Sequence, residues 1–322
     1  MSARRRIVLL VAAVAAAAVA VVAAAVVSSN SKSAPTAAAP EPRAGRPPLS
    51  LALGFRADPE AHDLARAAAE YQRGSVEAAA AIFAKHDSLE AKVGGALAAW
   101  PEGSLDRLEQ LAKLYPEIAV VQLHLGLARL WAKEGDPVAA WRASIEAEPD
   151  TPYAIVAGNL LHPQLPRGLP GFIPSFAASP EITQLAPALQ LEALRRAAER
   201  GGVRERLLYG VGLQRVGRPV SASRVFTLAA RRAPGEVEAQ IADAVGRFDK
   251  DAPERAFGRL GPLTRTDPNE PSVRFHLGVL LLWTGRIEPA QRQFRLAARA
   301  RPGSPLAREA DRYLETIKSA RS

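Results

Sequence analysis

Five histidines are the residues of this 322-residue chain whose type most readily does chemistry: His62, His86, His124, His162 and His276. Imidazole titrates near neutral pH, serves as a general acid or base, and ligates metals through a neutral ring nitrogen. A metal site needs such ligands clustered at fixed spacing, and these five are scattered, with no HExxH among them. The chain has no cysteine, which removes disulfides, thiolate nucleophiles and thiolate metal ligands together. The phosphate-cradling GxxxxGK[ST] loop, the GxSxG nucleophile elbow, the acidic calcium loop and a dinucleotide fingerprint are missing as well. No catalytic, cofactor or metal residue is assigned, and the expectation is a protein that binds rather than converts.

His124 and His276 stand apart because each opens the same triplet, His124-Leu125-Gly126 and His276-Leu277-Gly278. The recurrence reads as equivalent packing or surface positions on two repeats, with a shared ligand role as the alternative. The repeats themselves are plain over residues 203–304. Leu277-Gly278, Gly285, Ala290, Phe294, Ala297 and Pro302 match Tyr209-Gly210, Gly217, Ala222, Phe226, Ala229 and Pro234 at a shift of twice 34 residues. The middle register supplies Ala244, Ala256, Leu260, Leu263 and Pro268. Small residues at fixed places let two antiparallel helices approach, and bulky Phe226, Leu260 and Phe294 fill space towards the next repeat. Gly217 and Gly285 supply turns, while Pro234, Pro268 and Pro302 end the second helices.

This pattern resembles the tetratricopeptide repeat family, and in particular bacterial single-span, membrane-anchored members of it. The resemblance implies an all-α, right-handed α-solenoid of helix-turn-helix units. About seven repeats are expected over residues 58–304, clearest at 203–236, 237–270 and 271–304, with a capping helix at 305–322. Residues 150–202 read as one repeat whose turn is expanded by the segment 162–180, HPQLPRGLPGFIPSFAASP. The resemblance also places a binding groove on the first helices. Applied to this chain, the groove takes Arg204, Leu207, Val211, Gln214 and Arg215, then Glu238, Ile241, Val245, Phe248 and Asp249, then Phe275, Val279, Leu282 and Trp283. Its apolar character speaks against a carboxylate clamp and fits a peptide or helix held by hydrophobic contacts, unless a tight superhelix makes these residues core. Leu165, Leu169, Phe172, Ile173 and Phe176 are too apolar for an ordinary exposed connection. Either they pack back onto the solenoid, including into its groove, or they dock a partner.

The net charge of +9 is unevenly spread. Residues 195–232 hold ten arginines against Glu199 and Glu205. That stretch reads as a solvated helix face, or as a surface for an acidic partner. Residues 7–27 contain only Ile, Val, Leu and Ala behind Arg4, Arg5 and Arg6. A helix of that length spans a bilayer, and the arginines keep the N-terminus, residues 1–6, cytoplasmic. The expectation is a signal-anchor with a Pro- and Ala-rich linker over 28–57 and an extracytoplasmic domain, against a cleaved signal peptide and a secreted protein. The expected function is a membrane-tethered scaffold for a protein or peptide partner in envelope protein assembly or maturation. No cofactor and no nucleic acid are expected, and a homo-oligomer is compatible. The alternatives are an oligomerisation module, or an enzyme built on residues 162–180.

Overall fold

The computed structural model describes residues 45–54 and 56–320. The run at 7–27 and most of the linker lie outside the described residues, and among the described residues no helix is long and apolar enough to cross a membrane. The described residues form sixteen helices and no strand, and the chain divides into two compact units between Leu161 and His162.

The first unit carries α1 (Pro59–Arg73), α2 (Val76–Phe83), α3 (Leu89–Ala98), α4 (Ser104–Leu114), α5 (Ala119–Ala132), α6 (Pro137–Ala147) and α7 (Pro152–Leu161). The second carries α8 (Pro180–Thr183), α9 (Pro187–Arg200), α10 (Val203–Arg215), α11 (Pro219–Arg232), α12 (Val237–Gly246), α13 (Glu254–Thr266), α14 (Pro271–Trp283), α15 (Ile287–Ala300) and α16 (Pro305–Ser319).

Local chemistry sets where these helices begin. The Asp58 carboxylate accepts the N–H of Ala61 just ahead of Pro59, and the Asp136 carboxylate accepts those of Val138 and Ala139 ahead of Pro137. Ser304 accepts from Ala307 ahead of Pro305. Each such cap contributes about 1 kcal/mol, and the following proline has no N–H to leave unsatisfied. Within the hairpins α10–α11 and α14–α15 the chain reverses through Gly217 and Gly285, whose φ values of 71° and 73° favour glycine.

Packing separates inner from outer helices. Helix α14 buries Val273, Phe275, Val279, Leu280, Leu282 and Trp283, whereas α15 buries only Ala290, Phe294 and Ala297. The first helix of each hairpin is thus covered on most sides, and the second covers it with one stripe. The small residues have a more particular task than the sequence reading gave them. A Cβ on Gly278 would lie 2.8 Å from the Phe294 ring, and Gly210 faces Phe226 and Gly126 faces Trp141 in the same manner. Each glycine seats the aromatic ring of its own hairpin, and the rings also reach onward as expected, Phe226 to Gly246 of the next hairpin and Phe294 to a stack on Tyr313 of α16 at 4.9 Å. Helix α16 closes the second unit by burying Leu306, Ala310, Tyr313 and Ile317, while Arg308, Asp311 and Glu315 face solvent.

Two organisational expectations need correction. Residues 150–202 do not form one expanded repeat. Helix α7 packs on α5 and α6 in the first unit, and α9 pairs with α10 in the second. The physical reason lies in α7 itself, whose Tyr153 and Ala157 belong to the first unit's core, while Leu194 of α9 lies against Gly212 of α10 in the other. Over 58–304 the two units hold six hairpins where about seven repeats were expected. The first is three hairpins closed by α7, and the second is α9, three hairpins and α16.

Candidate functional site

In each unit an extended segment that precedes the hairpins lies across their first helices. In the second unit this is residues 169–176, Leu-Pro-Gly-Phe-Ile-Pro-Ser-Phe. Its prolines cannot continue a helix, and its backbone donors are met by side chains instead. The Phe172 N–H donates to Gln214 Oε1 of α10 at 3.1 Å, the Ile173 N–H to His276 Nε2 of α14 at 3.0 Å, and the Ser175 N–H to Glu238 Oε1 of α12 at 2.9 Å. One acceptor comes from each of the three first helices. The Phe172 ring, only 2% exposed, stacks on the His276 imidazole at 5.1 Å and meets Phe226 edge-on at 5.6 Å. The Arg204 guanidinium covers the Phe176 ring at 4.4 Å. Upstream, Lys250 Nζ donates to the Pro166 carbonyl at 2.9 Å.

The first unit repeats the device with residues 46–53. The Ser50 N–H donates to His124 Nε2 of α5 at 3.1 Å, and the Ala52 N–H to the Tyr153 hydroxyl of α7 at 3.1 Å. The Tyr71 hydroxyl of α1 donates to the Pro47 carbonyl at 2.6 Å, and Leu49 is buried. Arg46 donates to the Tyr71 carbonyl and lies over its ring at 4.9 Å. This corrects the linker boundary: residues 46–53 are not tether but part of the folded unit, because Leu49, Leu51 and Leu53 carry apolar surface that the first helices cover.

The two histidines that share a repeat position therefore share one contact. Each Nδ1 faces a carbonyl one helical turn back, Val120 at 2.6 Å for His124 and Ser272 at 2.7 Å for His276. Each Nε2 faces a strap N–H. A carbonyl only accepts and an amide N–H only donates, so the neutral ring protonated on Nδ1 alone satisfies both sides. Burial disfavours the cation and lowers both pKa values to about 4. Burial likewise raises the Glu238 carboxyl, whose Oε2 is buried without a hydrogen-bond partner.

The expected groove residues are brought together, but most of them in a buried core rather than open to solvent. Leu207, Val211, Ile241, Val245, Phe248, Phe275, Val279, Leu282 and Trp283 are all buried in one cluster with Phe172. Gln214 holds the strap, Arg204 is exposed over it, and Arg215 is half-buried with its pKa lowered by burial. Of the apolar loop residues, Phe172 is fully covered and Leu165, Leu169, Ile173 and Phe176 are half-buried. The loop packs back onto the first helices α10, α12 and α14 through Phe172, Ile173 and Ser175. Asp249 lies outside this set, pairing with Arg255 beyond α12. The arginine stretch divides: Arg195 and Arg196 pair with Glu192, and Arg224, Arg231 and Arg232 are exposed. Sequence reasoning missed Tyr71, Tyr153 and Lys250 as strap partners. The signal that could have found them was the apolar, proline-bearing segment ahead of each His-Leu-Gly half. Among the described residues no cluster of three or more His, Asp or Glu side chains is placed to hold a metal.

No family model and no curated protein sequence matches this chain. Among solved structures it is similar to YrrB, described as a TPR protein with an unusual peptide-binding site, at 15% identity and a TM-score of 0.31, over 65% of this chain and 99% of that one. In its own repeat chemistry, two-helix hairpins in a 34-residue register with a glycine seating an aromatic ring in two of the three, the chain resembles the tetratricopeptide repeat proteins.

Proposed function

We propose that this chain is a membrane-tethered, extracytoplasmic scaffold that holds an extended segment of a partner protein on the first helices of a solenoid. The observation that carries this reading is the repeated strap. Both units hold an extended polypeptide through side-chain acceptors aimed at backbone N–H groups, supplemented by apolar contacts. Backbone recognition tolerates varied sequences, which suits a scaffold that handles polypeptide rather than one small molecule. Support for the tether is the 21-residue apolar run behind three arginines. An assembly or maturation role in the envelope fits that location.

Photo-crosslinking in intact cells, from a benzophenone side chain placed at exposed Arg204, tests the scaffold. Reproducible crosslinks to a second protein are expected, and recovery of self-crosslinks alone contradicts the reading. The cysteine-free sequence provides a clean topology reporter. An Ala300→Cys variant in protoplasts should react with a membrane-impermeant maleimide, and labelling only after lysis would sink the extracytoplasmic placement.

A further inference from the structure

We propose that residues 169–176 are a stand-in ligand, and that the groove beneath them accepts in their place a partner segment with an aromatic side chain at the Phe172 place and a charged or polar donor at the Ser175 place. This rests on the scaffold reading and adds the chemistry of the segment and the reason the groove is filled without it.

Three observations carry it. First, the strap is held as a ligand would be. Gln214, His276 and Glu238 each take a backbone N–H, and one aromatic ring, Phe172, enters the core between His276 and Phe226. A segment from another chain could present the same N–H groups and the same ring. Second, the strap belongs to no helix: exposed Ala177 and Ser179 follow it, and before it the Lys250 bond to the Pro166 carbonyl lies between it and exposed Gln164. It can leave without unwinding α10, α12 or α14.

Third, its own fit is incomplete. Glu238 Oε1 receives the Ser175 N–H, but Oε2 is buried with no partner. A buried acceptor left unmade is costly, and the Ser175 hydroxyl beside this carboxylate brings no positive charge to it. A lysine at the Ser175 place would bring one. The first unit differs here, since the hydroxyls of Tyr71 and Tyr153 are both used by its strap. The second groove is the one built to exchange. A tethered strap competes at an effective concentration on the order of millimolar, so it masks the groove from weak segments while yielding to a better one.

The test uses the full chain and a fluorescent peptide of residues 167–178. Wild type should bind it weakly. A Phe172→Ala chain, whose strap has lost its anchor, should bind at least about tenfold more tightly. A chain that keeps Phe172 and is cut by a protease at a site installed at Ala177–Ala178 should gain likewise, and it decides the matter if the substituted chain loses helical content. Adding His276→Leu to Phe172→Ala should remove the gain. A peptide carrying S175K should bind about tenfold more tightly than the natural one. Equal affinity for intact, substituted and cut chains would overturn the stand-in. An S175K peptide that binds no better would overturn the donor requirement at Glu238. Peptide binding without any cellular crosslink sinks the scaffold reading and leaves this one standing, and crosslinks without peptide exchange do the reverse.

Discussion

At neutral pH the imidazoles of His124 and His276 each complete a chain of two hydrogen bonds, from a strap N–H through the ring to a helix carbonyl. Protonation would turn each Nε2 from acceptor to donor against another donor. The folded pKa of about 4 lies below the unfolded value of 6.5, so in that interval the unfolded chain binds the proton more readily. Stability from these rings is complete above about pH 6.5 and falls as pH drops towards 4, by up to about 3 kcal/mol per ring. Glu238 and Glu309, whose pKa values burial raises, act in the opposite sense. The difference between wild type and a H124Q/H276Q variant therefore isolates the rings. Urea melts at pH 7.5 and 4.5 should show that difference shrinking at the lower pH. A pH-independent difference would refute the assignment. Two glycines give a second check at this scale. Gly278→Ala places its methyl against Phe294 and should cost about 1–3 kcal/mol. Gly258→Ala, in helix α13 with nothing within 4 Å, should stabilise by up to about 1 kcal/mol.

Among the elements, the straps are the least conventional, with no helix or sheet ladder of their own. They depend on single side chains, so a small deletion should release them. Tyr153→Phe removes the acceptor for the Ala52 N–H. A hydrogen bond of that kind is worth about 1–1.5 kcal/mol, so chymotryptic cleavage at Leu51 and Leu53 should quicken about tenfold while helical content holds. Unchanged cleavage would mean that the strap is held otherwise. The helices were far more legible than the straps. Gly210, Phe226, Gly278 and Phe294 recur because each hairpin must solve the same packing problem, and a periodic problem leaves a periodic trace. The straps solve theirs once per unit, with non-periodic residues whose partners lie 74 and 103 positions away. Leu49 and Phe172 were visible as apolar residues among prolines, but one was assigned to a tether and the other to either packing or docking. The recurring histidines held the missing connection, and nothing local to them reveals which segment they grip.

Over the whole chain, the same construction is used twice: an extended strap, three hairpins and a closing helix, with α8 and α9 added in the second unit. Each unit has its own apolar cluster. Residues 45–161 and 162–320, produced separately, should each unfold cooperatively on heating with helical spectra. A fragment without a transition would contradict the division. Neutral imidazoles, protonated on Nδ1, latch a strap into each unit. Long-range nitrogen–proton NMR of the imidazoles at pH 7 measures this directly. His124 and His276 should both carry their proton on Nδ1, with Nε2 accepting from Ser50 and Ile173 and those two amides exchanging slowly. Protons on Nε2, with fast exchange at Ser50 and Ile173, would contradict it.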